Sequence, residues 1–227
     1  SLILPIFLCS FLFTNAQKQI EIIHADDFIF NKNKHPDYTK LVGNVSFQHK
    51  GTTMNCDSAF QYKNNKLDAF GNIRINQGDT LYVFGTKLFY DGNNSKAIIS
   101  GKVKLQDKKM ELHTNQLHYD LGGNIAYYPE KGHIQDTENK LYSDKGSYYS
   151  KTKTFYFKGN VKVQNPRYKI LTDTMHYNAD YKISYFFGPT EIRSDKNIIY
   201  CENGWYNSQN NKSQCTENAT ITHKDFV

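Results

Sequence analysis

The sequence predicts an all-β fold assembled from a tandem repeat of about 29 residues, and three observations carry that reading. A tyrosine recurs at positions 62, 90, 119, 148, 177 and 206, with spacings of 28, 29, 29, 29 and 29 residues. A glycine anchor alternates with it: Gly43-Asn44-Val45, Gly71-Asn72-Ile73, Gly101-Lys102-Val103, Gly132-His133-Ile134, Gly159-Asn160-Val161 and a degenerate Gly188-Pro189-Thr190-Glu191-Ile192. The apolar content leans to residues that fit a pleated, half-buried surface, with 17 Tyr and 15 Phe against 3 Met.

Taken in chain order, residues 1–16 are apolar and uncharged and run into the polar Gln17-Lys18-Gln19. They are too short to span a bilayer comfortably, and Thr14-Asn15-Ala16 has the small-x-small form that precedes a signal-peptidase cut. Export is therefore expected, with residues 17–227 forming a single domain. No initiator Met or basic region precedes the apolar run, so the reading expects a leader that begins upstream of Ser1.

Two anchors per unit imply two strands per unit. After each glycine anchor the pattern alternates with period two, as in Val45/Phe47, Ile73/Ile75, Val103/Leu105 and Val161/Val163, which sets those side chains on one face. The tyrosine-bearing strands share a frame, such as Gly85-Thr86-Lys87-Leu88-Phe89-Tyr90 and Thr172-Asp173-Thr174-Met175-His176-Tyr177. The first copy, Cys56-Asp57-Ser58-Ala59-Phe60-Gln61-Tyr62, fits with a one-residue insertion. Asn64-Asn65, Gly92-Asn93-Asn94, Gly122-Gly123-Asn124 and Asn210-Asn211 read as turns. No helical periodicity persists for ten residues, and about twelve to fourteen strands are expected. The repeat length also suits a parallel β-solenoid with one coil per unit.

Formal net charge is +6, with 28 Lys and Arg against 22 Asp and Glu, all of it outside residues 1–16. That balance suits a polyanionic partner or merely a soluble surface, since no run of five or six like charges forms. Export and the lack of a recognised motif exclude nucleic acid. Of the three cysteines beyond the leader, Cys201 and Cys215 face each other if residues 207–211 form a hairpin turn, and Cys56 is left over.

No Gly-x-Ser-x-Gly, His-Glu-x-x-His, P-loop or dinucleotide fingerprint is present, so neither an enzyme nor a cofactor is expected. His24 with Asp26 and Asp27 is a weak metal candidate, because adjacent strand residues point to opposite faces. His113 and His118, five apart, separate in the same way on a regular strand.

The segments Leu41-Val42-Gly43-Asn44-Val45, Met54-Asn55-Cys56-Asp57-Ser58-Ala59, Ala69-Phe70-Gly71-Asn72-Ile73, Phe157-Lys158-Gly159-Asn160-Val161 and Thr172-Asp173-Thr174-Met175-His176-Tyr177 resemble the OstA-like (LptA-type) lipopolysaccharide-transport family, in its Bacteroidetes-type form. The repeats that carry the resemblance span roughly residues 21–222. The resemblance implies a β-jelly-roll folded over like a taco, with a hydrophobic groove for the acyl chains of lipid A. It implies a periplasmic location, end-to-end homo-oligomers, and partners among the inner- and outer-membrane lipopolysaccharide-transport components.

On that implication the groove is lined by Val45, Phe47, Ile73, Ile75, Val103, Leu105, Val161 and Val163. The other strands add Phe60, Leu88, Leu117, Met175 and the anchor tyrosines. Arg74, Lys102, Lys104 and Lys162 are candidates for lipid phosphates near the groove mouth, or else outward residues that keep a sheet soluble. The same apolar residues would equally fill a solid sandwich core, and a structural or surface repeat that polymerises without binding lipid is the rival function.

Overall fold

The computed structural model describes residues 19–78, 81–108, 110–210 and 212–223, so the expected export segment 1–16 lies outside the described residues. Every regular element among them is a β-strand. The chain opens with the short strands β1 (Glu21–His24) and β2 (Asp27–Asn31). Six long strands follow: β3 (His35–His49), β4 (Thr52–Tyr62), β5 (Lys66–Gln77), β6 (Leu81–Asp91), β7 (Lys96–Gln106) and β8 (Glu111–Asp120). Four short ones occupy the middle: β9 (Ile125–Tyr128), β10 (Gly132–Gln135), β11 (Lys140–Ser143) and β12 (Lys145–Tyr149). The long β13 (Thr154–Gln164), β14 (Tyr168–Asn178), β15 (Ile183–Ser194) and β16 (Asn197–Asn207) lead to the short β17 (Lys212–Thr216) and β18 (Thr220–His223).

All eighteen strands join one sheet, and every pairing in it is antiparallel. Antiparallel neighbours exclude the parallel solenoid, whose successive coils stack in parallel. Short strands share ranks: β1 and β2 both pair with β3, β9 and β10 with β8, β11 and β12 with β13, β17 and β18 with β16. Eighteen strands with four such shared ranks give fourteen ranks, the upper figure of the expected range. The excess in strand number arises because four ranks are interrupted at mid-length while the others continue through.

That mid-length point is a corner. Val42 pairs with Ser58 and Val45 with Cys56, so Gly43 and Asn44 together oppose the single residue Asp57. This is a two-against-one bulge, which bends a strand. Gly43 and Asn44 both have left-handed backbones (φ +76° and +46°), and the same signature recurs at Gly71-Asn72, Gly101-Lys102 and Gly159-Asn160. Acidic side chains brace the turn: the Asn44 amide donates to Asp26 at 2.9 Å, Asn72 to Asp57 at 2.9 Å and Asn160 to Asp144 at 2.7 Å. Inside the corner a small polar side chain donates to the carbonyl two residues on, from Cys56, Thr114, Ser143 and Thr172. The repeated Gly-Asn therefore encodes a fold line across the sheet rather than a strand start.

Bending along this line makes two layers from one sheet. Layer one holds the halves on the tyrosine side of each corner, including β2, β9, β12 and β17. Layer two holds the others, including β1, β10, β11 and β18. One apolar core joins them, with Leu41, Leu67, Ile99, Leu117 and Phe186 from layer one against Val45, Phe47, Ile73 and Val103 from layer two, all fully buried or nearly so.

Candidate functional site: an apolar interior between two layers

The inner face of layer two carries one apolar row from edge to edge. Successive cross-strand partners are Ile22, Phe47, Met54, Ile75, Val83, Leu105, Leu112, Ile134, Leu141, Val163, Ile170, Ile192, Ile199 and Ile221. Fourteen ranks spaced by about 4.8 Å make a lining roughly 60 Å long. Each strand contributes through the two-residue alternation that keeps this position inward.

The anchor tyrosines form a parallel row in layer one, nearer the mouth. Tyr90, Tyr119, Tyr148, Tyr177 and Tyr206 face inward, interleaved with Ala97, Ala126, Phe155 and Ser184. Small partners at Ala97, Ala126 and Ser184 leave room for the tyrosines beside them, whereas Phe155 stacks on Tyr148 at 4.3 Å between ring centres. Burial pushes the Tyr90 hydroxyl up to about 12 and raises Tyr148 and Tyr177 as well, so these phenols stay neutral at physiological pH.

Between the layers lies a cavity of about 230 Å³. Layer two lends it Met54, Ile75, Val83, Leu105, Leu112 and Ile134, and layer one Ile99, Leu117, Tyr128 and Phe157. Its few polar contributors include His49, Thr52, Gln77 and Asp107. On the amino-terminal side the two layers clasp each other near the mouth. His49 Nδ1 and the Tyr90 hydroxyl share a hydrogen bond of 2.5 Å, Lys50 donates to Ser95 at 2.7 Å, and Tyr119 donates to Gln77 at 3.3 Å.

Of the residues expected to line a groove, Ile75, Leu105 and Leu117 border this cavity. Val45, Phe47, Ile73, Leu88, Val103, Val161, Val163 and Met175 belong to the same core, packed where the layers meet. Phe60 does not. It lies on the outer face, edge-on to Tyr38 (4.9 Å between ring centres) and Phe70 (5.9 Å). The reason is the corner at Asp57: Met54 and Cys56 point inward, the bulge shifts the alternation by one, and Ala59 rather than Phe60 turns inside. Tyr62 follows Phe60 outward and donates to Asp68 at 2.8 Å, while Gln61 takes the place of an anchor tyrosine. Aligned on the corner, the first copy needs no insertion, and Phe60 matches the outward Phe89, which is 40% exposed.

The same parity change overturns the separation expected for His113 and His118. Both reach the outer surface, His113 stacked on His133 at 4.7 Å and His118 on Tyr127 at 4.6 Å. Burial lowers the pKa of His118 and of His133, keeping both neutral near pH 7. Among the described residues no group of three His, Cys, Asp or Glu comes together to hold a metal.

Arg74, Lys104 and Lys162 occupy one outward row of layer two, on the far side of the sheet from the cavity. Arg74 lies over the Tyr82 ring and Lys162 over Tyr142, each at 5.7 Å, and Lys104 pairs with Glu111 at 2.7 Å. The Lys104 ammonium, followed by His113, holds the Glu111 carboxyl down at about 2. A depressed carboxyl favours the folded state above its unfolded value, near 4.5, and loses that contribution as pH falls toward 2. Glu111 is expected to stay ionised in an NMR titration down to pH 3, and Lys104→Ala to return its midpoint toward the ordinary range.

Sequence reasoning missed Met54, Val83, Leu112, Leu141, Ile170 and Ile199. They lie on half-strands that carry no glycine anchor, and their signal is the weaker alternation Leu81/Val83, Tyr168/Ile170 or Ile199/Cys201.

No curated protein matches this chain. Among solved structures, that of LptH, the LptA-homologous periplasmic component of the lipopolysaccharide transport device of Pseudomonas aeruginosa, matches 63% of this chain and 93% of its own length at 11% identity, with a TM-score of 0.31. The model of the OstA-like protein family matches residues 17–173, from the first polar residues after the apolar run to the corner of β14. With more than half of its length so matched, and with the repeated Gly-Asn corners folding one sheet onto an apolar interior, the chain belongs to the OstA-like protein family.

Proposed function

We propose that this chain is a non-enzymatic carrier of lipopolysaccharide, holding lipid A acyl chains in the interior between its layers and passing them across the periplasm for outer-membrane assembly. The observation that carries the reading is the unbroken apolar row of layer two. Exposing a hydrocarbon chain to water costs about 0.8 kcal/mol per CH₂, so a carrier of several chains needs a lining without polar gaps. Roughly 60 Å of such lining supports that use.

The cavity, at about 230 Å³, falls below the ~300–1,000 Å³ typical of sites that enclose drug-sized ligands. It takes part of one chain as it stands. A lipid with several chains requires the layers to part at the mouth, where they meet through side chains and the Ile20 main chain, whereas the covalent fold line holds the opposite side. In this reading residues 1–16 direct export, and residues 17–227 act as one domain.

The sheet also ends in uncovered edges. Ile221 on β18 is 71% exposed, and β2 presents Phe28, Ile29 and Phe30 at 52–58%. Unpaired strand edges with apolar side chains favour strand addition, which supports end-to-end assembly of copies into a continuous groove and docking to membrane-bound transport components. Light scattering across a concentration range is expected to show growing assemblies, and a monomer throughout would count against this element.

A polymerising repeat without lipid is the rival. The test is photocrosslinking in live cells from reactive side chains placed at Ile75 and Leu105, with Phe60 and Lys104 as outward controls. Crosslinks to lipopolysaccharide from the first pair alone are expected. If neither inner position crosslinks while the protein is exported and folded, the carrier reading fails and the structural repeat replaces it.

A further inference from the structure

The last corner of the sheet has no glycine in its left-handed pair. Where earlier ranks carry Gly43-Asn44, Gly71-Asn72, Gly101-Lys102 or Gly159-Asn160, it carries Glu217-Asn218, with φ of +59° and +55°. Asn218 matches the asparagines of earlier corners, but Glu217 stands where they have glycine and holds a left-handed backbone that such a side chain rarely adopts. The bracing persists in altered form: Asn218 donates to Glu202 at 2.8 Å, and Asn203 to Glu217 at 2.7 Å. Leading into this corner, β17 has a strand neighbour on one side only, β16, and all but one of its residues are exposed. A backbone of this kind, at an edge, is poorly secured by packing.

Two cysteines meet at the same place. Cys201 is fully buried in the corner row of layer two, next to Thr190, and Cys215 lies on β17 opposite Gly204. A Cβ on Gly204 would sit 3.5 Å from Cys201 Sγ and 3.5 Å from Cys215 Cα, so both cysteines border the space that the glycine leaves empty. Neither thiol is oxidised, and burial first, then the neighbouring Cys215 thiol, pushes that of Cys201 up to about 12. Cys56, in the equivalent corner position of an earlier rank, instead donates to the Ser58 carbonyl.

We propose that Cys201 and Cys215 form a disulfide site that staples the terminal strand β17 across the final corner, supplying by a covalent bond the security that the glycine supplies elsewhere. Oxidation proceeds by exchange with a disulfide reagent such as oxidised glutathione. The more accessible Cys215, as its thiolate, attacks one sulfur of the reagent and expels a thiolate. Cys201 then loses its proton and attacks Cys215 Sγ, expelling the second. Two S–H bonds are lost and one S–S bond is gained, with two electrons passing to the reagent and the two protons ending on its thiols or in solvent. The staple secures the edge strand without altering the apolar row, and it does not depend on what the interior carries.

The test treats the purified full chain with oxidised glutathione or with dithiothreitol, blocks free thiols by alkylation, and maps peptides by mass spectrometry. A peptide pair linked through Cys201 and Cys215, 2 Da lighter than its reduced parts, is expected. With a closed loop of about fifteen residues, oxidation is expected to raise Tm by roughly 6–12 °C and to slow amide exchange in β17. In Cys215→Ser both oxidant-dependent effects should vanish. If Cys201 and Cys215 both remain alkylatable after oxidation of the folded protein, whatever the other cysteines do, the proposal is overturned. Linkage of the pair with unchanged exchange in β17 would likewise refute the staple.

Discussion

Replacing Tyr128 by alanine is expected to lower the stability of the fold by about 3–5 kcal/mol, the range for deleting a buried aromatic side chain. Tyr128 is 3% exposed and stands where the repeated corner is missing: between β9 and β10 the chain passes through Pro129-Glu130-Lys131 instead of Gly-Asn. Its ring fills the resulting gap by packing over two glycines, Gly132 in layer two and Gly146 in layer one. A Cβ on Gly132 would lie 2.7 Å from a ring carbon. The hydroxyl shares a 2.6 Å hydrogen bond with Ser143, whose own hydroxyl donates to the Lys145 carbonyl. Tyr128→Phe keeps the ring and is expected to cost only about 1 kcal/mol, the net worth of a typical hydrogen bond. Denaturant titration of both variants checks the difference. A loss below 1 kcal/mol for the alanine variant would mean that the interrupted rank is not part of the cooperative core.

A second large effect is expected at Gly71, where alanine should cost about 2–4 kcal/mol by combining a left-handed backbone with an overlap. Gly71 has φ +75°, and a Cβ there falls on the Asp57 carboxylate, which also accepts from Asn72. The two causes separate in a double-mutant cycle. Adding Asp57→Ala removes the overlap but leaves the backbone strain, so the pair should be less destabilising than the sum of the single changes by 1 kcal/mol or more. Additivity within about 0.5 kcal/mol would show that the carboxylate does not pack against the fold line.

These two positions show why the repeat could be seen in the sequence and its meaning could not. Gly71 was visible as an anchor, but the alternation after it suggested only that a strand began there. The left-handed pair instead bends a strand that has already started five residues earlier. Tyr128 carried no signal, because it belongs to a unit that breaks the pattern, and its value comes from glycines at 132 and 146. Phe60 shows the cost of the missing bend. Simple alternation from Cys56 places it inside, and one bulged residue sends it out.

The sequence by itself determined the all-β class, the turns and most of the apolar interior, whereas the expected twelve to fourteen strands are eighteen, set in fourteen ranks. These follow from short-range periodicity, since a two-residue alternation and a 29-residue repeat are properties of the chain alone. Tertiary structure alone decided which side of each strand faces the interior beyond a corner, because the bulge that resets the alternation is defined by the partner strand. It also decided that the cavity opens among Met54, Ile75, Leu105 and Leu117 while Val161 and Met175 are packed shut. Whether a buried apolar side chain meets a neighbour or a void depends on the sizes of residues across the layer gap, and no pattern along one strand contains them.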